Sequence, residues 1–516
     1  MVTPNASRPE DAAMPAASPS WRGVLASIDI GSNSFRLEIG QIARGRYRRL
    51  DYLKETVRLG AGLDAQRQLG EEAAQRGLDC LARFRTRLAG IPARQLRAVA
   101  TQTLREAANR NAFLARATEV LGHPVEVISG REEARLIYKG VARLQPAEHP
   151  RLVIDIGGRS TELIVGQGAT PLQAESFPVG SVSLSMAWFG DGRFTEARFH
   201  DAQVAVGAEL EEAMPMLDRR LWAEALGSSG TAGAVSDLLA ASGITDGTIT
   251  PDGLAWCMRE CVRAGHQDAL RLPGLKPERR AVLGGGLAIL NALATQFGVE
   301  AIRPARGALR QGVIFDLEER LAADRDPARH DLRDDTVAEL QQRFRADAAQ
   351  AARVREVALA LLADARPGAP LDLRRELGWA AALHEVGMTV SHHDHHRHSA
   401  YLIGHVDAAG FSQNQQQRLA DVVLGHRGGL RKIEAALRDP ALAWQVMALR
   451  LAVLLCHARA MPSAPMPRLA ASGRAARLAL PPGWSAQHPR SRHLLEGEVE
   501  AWSRTGVLRL EIAQAP

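Results

Sequence analysis

Lysine is nearly missing from this chain. Lys54, Lys139, Lys276 and Lys432 are its only lysines among 64 basic residues, so nearly every cation is an arginine. A guanidinium grips phosphate bidentately in a way an ammonium does not. Alanine is abundant too, however, so the excess as a whole reads as base composition, and function has to be argued from particular arginines. Cysteine is scarce as well: Cys80, Cys257, Cys261 and Cys456 are scattered, which excludes a disulfide framework and fits a reducing cytoplasm. No apolar run approaches the ~20 residues that span a bilayer; the best candidate, LAVLLC at 451–456, is flanked by Arg450 and His457. The first 22 residues have no apolar stretch behind a basic start, which argues against a signal peptide, and their Pro/Ala/Ser-rich composition reads as a disordered tail. No glycine loop is followed by Lys-Ser or Lys-Thr, so a P-loop is excluded.

What is present suits a multidomain globular protein. At 516 residues, with 46% hydrophobic and 24% charged residues, the chain is too long for one core, and three or four domains are expected. Net charge is +6, which favours acidic partners. Short β-rich stretches alternate with helical patterns up to about residue 320, an α/β texture with mixed sheets. A run of helical period then continues to about 460, and short strands return at the end. The expected division is a tail (1–22), two α/β units (23–135 and 136–322), a helical domain (323–465) and a small α+β unit (466–516).

One phrase occurs twice. SIDIGSNSF begins at Ser27 and VIDIGGRSTE at Val153, placing Asp29 and Asp155 126 residues apart. A strand that enters a tight glycine turn leaves backbone N–H groups pointing into the turn, and small residues let a phosphate approach them. Gly31, Ser32, Asn33 and Ser34 have that character, as do Gly157, Gly158, Ser160 and Thr161. An aspartate at each strand end can hold a metal ion or its water. Two such hairpins facing each other would grip a phosphoanhydride from both sides. GSSGTAGAV at 227–235, with Gly230 and Thr231, is a third loop suited to a phosphate contact.

With these motifs stand TQTLREAAN, EVISGREEARLIYKGV, RGALRQGVIFDL and LHEVGM…HRHSAYLI…GF. Together they resemble the exopolyphosphatase/guanosine pentaphosphate phosphohydrolase family, within the actin-like ATPase superfamily, and more its long exopolyphosphatase branch than the short two-domain form. The resemblance implies two actin-like (ribonuclease H-like) domains followed by an all-α HD-like domain and a small α+β unit. It implies Mg²⁺-assisted, processive hydrolysis of the terminal phosphate of inorganic polyphosphate, with guanosine pentaphosphate as the alternative substrate and a homodimer in the cytoplasm. By motif position Glu133 is the water-activating base, Arg105 clamps phosphate, and Asp155 and Glu162, with Asp29 opposite, hold Mg²⁺. Two departures stand out. Arg159 replaces the third glycine of the second loop, where it either strains the backbone or reaches a phosphate, and Arg306 stands where the family carries aspartate. They motivate a third reading, a binding-only sensor of polyphosphate or nucleotide.

Seven of the 16 histidines lie between His384 and His405. The expectation favoured for this tract is a polar loop between two helices, with His398 and Tyr401 packed on their neighbours, rather than a metal centre. Arg397, Arg427, Arg431 and Lys432 would give it a basic surface able to guide a polyanion.

Overall fold

The computed structural model describes residues 23–215, 218–326, 329–462 and 464–514; the expected tail lies outside them. The first sheet has the order β3-β2-β1-β4-β5, formed by β1 (Val24–Ile30), β2 (Ser34–Ala43), β3 (Arg46–Thr56), β4 (Leu96–Ala100) and β5 (Val125–Val127). The apolar run VLASIDI makes β1 buried along its whole length. Its turn returns the chain as antiparallel β2, and β4 adds parallel on the other side. The second sheet repeats this plan. β6 (Arg151–Ile156), β7 (Thr161–Gln167) and β8 (Thr170–Phe177) form the antiparallel part, and β9 (Glu224–Gly227) and β10 (Ile302–Pro304) add in parallel, in the order β10-β9-β6-β7-β8. The repeated phrase is therefore the central hairpin of each of two like sheets.

Two helices join the halves, Gly130–Leu144 and Leu309–Arg325. They meet backbone to backbone because glycines face the contact: a Cβ on Gly312 would lie 1.7 Å from the Leu136 carbonyl oxygen, and one on Gly140 2.3 Å from that of Ala308. The expected boundary at 135/136 falls inside the first of these helices. Ser129 caps it, its Oγ accepting the Glu132 N–H at 3.2 Å. The capping box that the spacing suggests is half made, because the Glu132 carboxylate turns instead to Arg135 and to the Gly410 N–H (2.9 Å). Buried charges fasten the same junction: Asp316 accepts from Arg97 (2.7 Å), Arg135 (2.7 Å) and Arg320 (2.6 Å).

The C-terminal part is helical from Leu332–Arg343 to Pro440–Leu455. A third sheet, β11 (Arg468–Ser472), β12 (Ala475–Leu480) and β13 (Arg509–Gln514), closes the chain with the Pro489–Ser503 helix. This expected separate unit shares one hydrophobic core with the helices, in which Leu478, Leu495, Trp502 and Leu510 pack with Val446, Leu449 and Leu451. Arg450 inside that core is held by Glu498 at 2.6 and 2.5 Å. Contacts from the helical part reach the helix that carries Glu133, through Gly410, and the strand before it: the Asn414 side chain accepts the N–H of Val127 in β5 at 2.8 Å.

The histidine tract corrects the expectation of a polar loop. His395–His405 is a helix, and His384, His395, His396 and His426 are all at least nine-tenths buried. Burial keeps these rings below their ordinary pKa, His396 at about 4. Tyr401, expected to pack, is 64% exposed. Among the described residues no helix is long and apolar enough to cross a membrane.

Candidate active site

The turns of the two central hairpins face each other across a cleft of about 350 Å³. Asp29, Gly31, Ser32, Asn33 and Ser34 line one wall. Asp155, Gly157, Gly158, Ser160, Gly230 and Thr231 line the other, and Glu133 lies between. Each turn is braced by hydrogen bonds, largely through its carbonyls. Ser32 O accepts the Gly60 N–H (2.8 Å), and Asn33 O those of Val57 (3.1 Å) and Arg58 (2.9 Å). In the second turn the Gly157 N–H donates to Ser160 O (2.9 Å), and the Ser181 N–H and Oγ both donate to Gly157 O. The Gly230–Ala241 helix starts at the cleft, with Ser229 as its N-cap, so its first amides and dipole favour an anion there.

Four carboxylates gather at the floor. Asp29 is buried and paired with Arg36 at 3.0 Å. Asp155 is pushed up to about 7, chiefly by burial and then by the charge of Glu133. Glu133 is raised by burial and by Asp29, against the opposing pull of Arg105. Glu162 is raised well above the ordinary range by burial, Glu133 and Asp155, and accepts from Ser176 Oγ at 2.8 Å. Glu133, Asp155 and Glu162 thus share a deficit of positive charge that Arg105 only partly relieves, which is the environment a divalent cation completes. Among the described residues no three His, Cys, Asp or Glu side chains form a ready-made cage. Mg²⁺ does not require one, since it keeps several waters and takes one or two carboxylates plus substrate oxygens. The donor set fits that ion.

Four of the sequence-chosen residues lie behind the cleft wall instead of lining it. Thr161 spends its hydroxyl on Val179 O (2.6 Å), and Glu162 acts through its field. Arg105 is held by Glu133 Oε2 (2.6 Å), Ile128 O (3.1 Å) and the Gln102 side chain; its place here is that of an orienting partner to Glu133 and not of a free clamp. Arg159 corrects both expectations made for it. Its φ is not positive, so its backbone carries no glycine-type strain, and its guanidinium turns to Glu106 Oε2 at 2.6 Å, tying the second turn to the first half of the chain.

The sequence reading missed most of the cations. Arg36, Arg49, Lys54, Arg279 and Arg310 line the cleft together with Arg306. Arg36 and Lys54 were within reach: residue 36 lies opposite Asp29, and residue 54 opposite residue 36, in antiparallel register, and such partners share a face. Arg279 comes from a distant helix start, and its contact with Gly230 is legible only from the fold. Burial, Arg279 and Arg36 together lower Lys54 to about 8, so these cations repel one another even though Asp29 pairs with Arg36.

The sequence model of the Ppx/GppA phosphatase family matches residues 39–321, and that of Ppx/GppA phosphatase, domain III, matches residues 332–499. A guanosine-5'-triphosphate,3'-diphosphate pyrophosphatase of Vibrio cholerae is 36% identical over 492 residues, 94% of this chain and 97% of that protein. The protein of that name from Aeromonas hydrophila is 37% identical over 491 residues, again 94% and 97%. Among solved structures, an exopolyphosphatase from Cytophaga hutchinsonii shares the fold at 24% identity, with a TM-score of 0.52 over 57% of this chain and 98% of that one. The chain belongs to the Ppx/GppA phosphatase family and is a phosphoanhydride hydrolase.

Proposed function

We propose that this cleft removes the terminal phosphate of a polyphosphorylated chain, with inorganic polyphosphate as the substrate its geometry favours. The observation that carries this reading is the polarity of the cleft: crowded carboxylates on the floor, amide-lined turns on both sides, and a row of mutually repelling cations, Arg36, Lys54 and Arg279, beyond them. The terminal phosphoryl group sits between the turns, where the backbone N–H groups and Ser34 stabilise the charge on its equatorial oxygens. The rest of the polyanion lies along the cations. Glu133 takes the proton of the attacking water as the water oxygen bonds to phosphorus and the bridging oxygen leaves with the shortened chain; burial raises its pKa, which makes it a stronger base for that work. Arg105 holds Glu133 in place. Asp155, with Asp29 opposite, lines the cleft where Mg²⁺ would be held, and Glu162 behind the wall would add its negative field; the ion would supply positive charge to the phosphoryl oxygens.

Guanosine pentaphosphate is the second reading, favoured by the names of the Vibrio cholerae and Aeromonas hydrophila relatives. The binding-only reading loses its motive in Arg159, which is spent on Glu106. Competition separates the two substrates. On the polyphosphate reading, orthophosphate release from long chains persists in excess guanosine pentaphosphate. Strong competition, with turnover of the nucleotide, would hand the cleft to the second reading. The homodimer is part of the proposal, and light scattering tests it.

A further inference from the structure

Beyond Lys54 the sheet that walls the cleft carries a second pair of cations. Asp29, Arg36 and Lys54 stand opposite one another across β1, β2 and β3. Two residues farther from the turn Glu38 stands opposite Tyr52, and two farther again Gly40 stands opposite Arg49. Arg49 reaches this face because of the irregularity at Ile39–Gly40: the extra residue of a bulge flips the side chains that follow it. From Lys54 to Arg49 is two steps of the pleat, ~14 Å along the strand. Glu38 is fully buried and gathers the cations around it. It accepts from Arg310 Nε (3.1 Å) and Gln311 Nε2 (2.6 and 2.8 Å), both at the start of the Leu309–Arg325 helix, and from the Tyr47 hydroxyl. Arg49 Nε lies 3.5 Å from the same carboxylate. Gly40 makes room for this, since a Cβ there would lie 2.3 Å from the Tyr47 ring. The guanidiniums of Arg49 and Arg310 lie over the Tyr52 ring, 5.3 and 5.1 Å from its centre, where its π-face attracts them.

We propose that Arg49 and Arg310, aimed by Glu38 and Tyr52, form a distal phosphate subsite that binds a polyphosphate chain several phosphates behind the one removed. The inference rests on the polyphosphate reading above and adds the place where chain length is sensed. Arg49, Tyr52 and Arg310 all line the cleft. Among the described residues Glu38 is the one carboxylate paired with either guanidinium, so one negative charge serves two positive ones and a net cation is left at the wall. Both arginines meet Glu38 through Nε, which leaves their terminal nitrogens for phosphoryl oxygens, the groups a guanidinium fork holds best. Glu38 and Tyr52 are positioning residues here: they fix two long side chains before the substrate arrives, so less freedom is lost on binding. A terminal phosphate with only one or two behind it ends short of this pair. The subsite therefore adds affinity for long chains and none for short ones.

The test measures orthophosphate release from long-chain polyphosphate with Mg²⁺, and its inhibition by tripolyphosphate, for the wild type and for the double variant Arg49→Gln, Arg310→Gln. The proposal expects the double variant to raise KM for long chains about tenfold with kcat within about twofold, as loss of a uniform binding contact does. The inhibition constant of tripolyphosphate is expected to stay within about twofold, because that ion does not reach the pair. If the double variant does not fold, Arg49→Gln is read alone; its side chain is 52% exposed, and it is expected to raise the same KM about threefold. An unchanged KM for long chains overturns the subsite. So does an equal weakening of tripolyphosphate, which would put the arginines beside the terminal phosphate. A wild type that releases nothing from long chains sinks the polyphosphate reading itself, and the subsite with it.

Discussion

Replacing Asp155 with asparagine should stabilise the metal-free protein and abolish its activity, and the stabilisation should depend on pH. The folded carboxyl keeps its proton to about pH 7, whereas the unfolded chain gives it up near its ordinary 3.8. The proton therefore favours the folded state at low pH, and that advantage is lost as pH rises through 7. The full difference is worth about 4 kcal/mol at 1.36 kcal/mol per pH unit. Because Glu133 and Glu162 share the crowding, about half of that belongs to Asp155 alone. In a domain of this size about 2 kcal/mol corresponds to roughly 4–8 °C in melting temperature. Thermal unfolding of both proteins in EDTA at pH 5 and pH 8.5 makes the comparison. Asp155→Asn should melt several degrees above the wild type at pH 8.5, with the gap shrinking to roughly a third of that at pH 5, because the advantage is fully restored only below the unfolded value of 3.8. Mg²⁺ should raise the wild type more at pH 8.5 than at pH 5, and the variant little at either. Equal melting temperatures at both pH values, or a variant less stable at pH 8.5, would refute the claim of an uncompensated carboxylate cluster.

Other outcomes follow from the same geometry. Arg159→Gly should change KM and kcat by less than about threefold, since its partly exposed pair with Glu106 is worth under about 1 kcal/mol and its guanidinium does not face the cleft; a tenfold rise in KM would restore it as a phosphate ligand. Lys54→Ala should raise KM about tenfold with kcat nearly unchanged and flatten the salt dependence, as removal of a uniform binding contact does. Gly312→Ala should cost about 3 kcal/mol, because its methyl has no room against Leu136 O. In that variant activity should fall along with stability, a combination that kinetics and thermal unfolding read together.

The two central hairpins were legible because their signals are local: an apolar strand, a glycine turn and an alternating return strand within a few residues. The carboxylates at their ends followed from the same phrase. Long-range placement was not legible. Nothing near Arg159 announces that Glu106, 53 positions earlier, captures its guanidinium, and nothing near Glu132 announces Gly410. The histidine tract shows the same limit, since its polar composition suggests a loop, yet burial there is decided by where three helix ends meet. The C-terminal strands read as a separate unit because their own pattern is short, while their apolar faces are completed by helices earlier in the chain.

The central claim is that Glu133 activates water against a terminal phosphate held between the two turns. The most direct measurement is orthophosphate release from long-chain polyphosphate with Mg²⁺, wild type beside Glu133→Gln, with polyphosphate binding measured on both. The account predicts release by the wild type, a fall of at least about a hundredfold in the variant, and binding retained by each. Release by Glu133→Gln at the wild-type rate would contradict it.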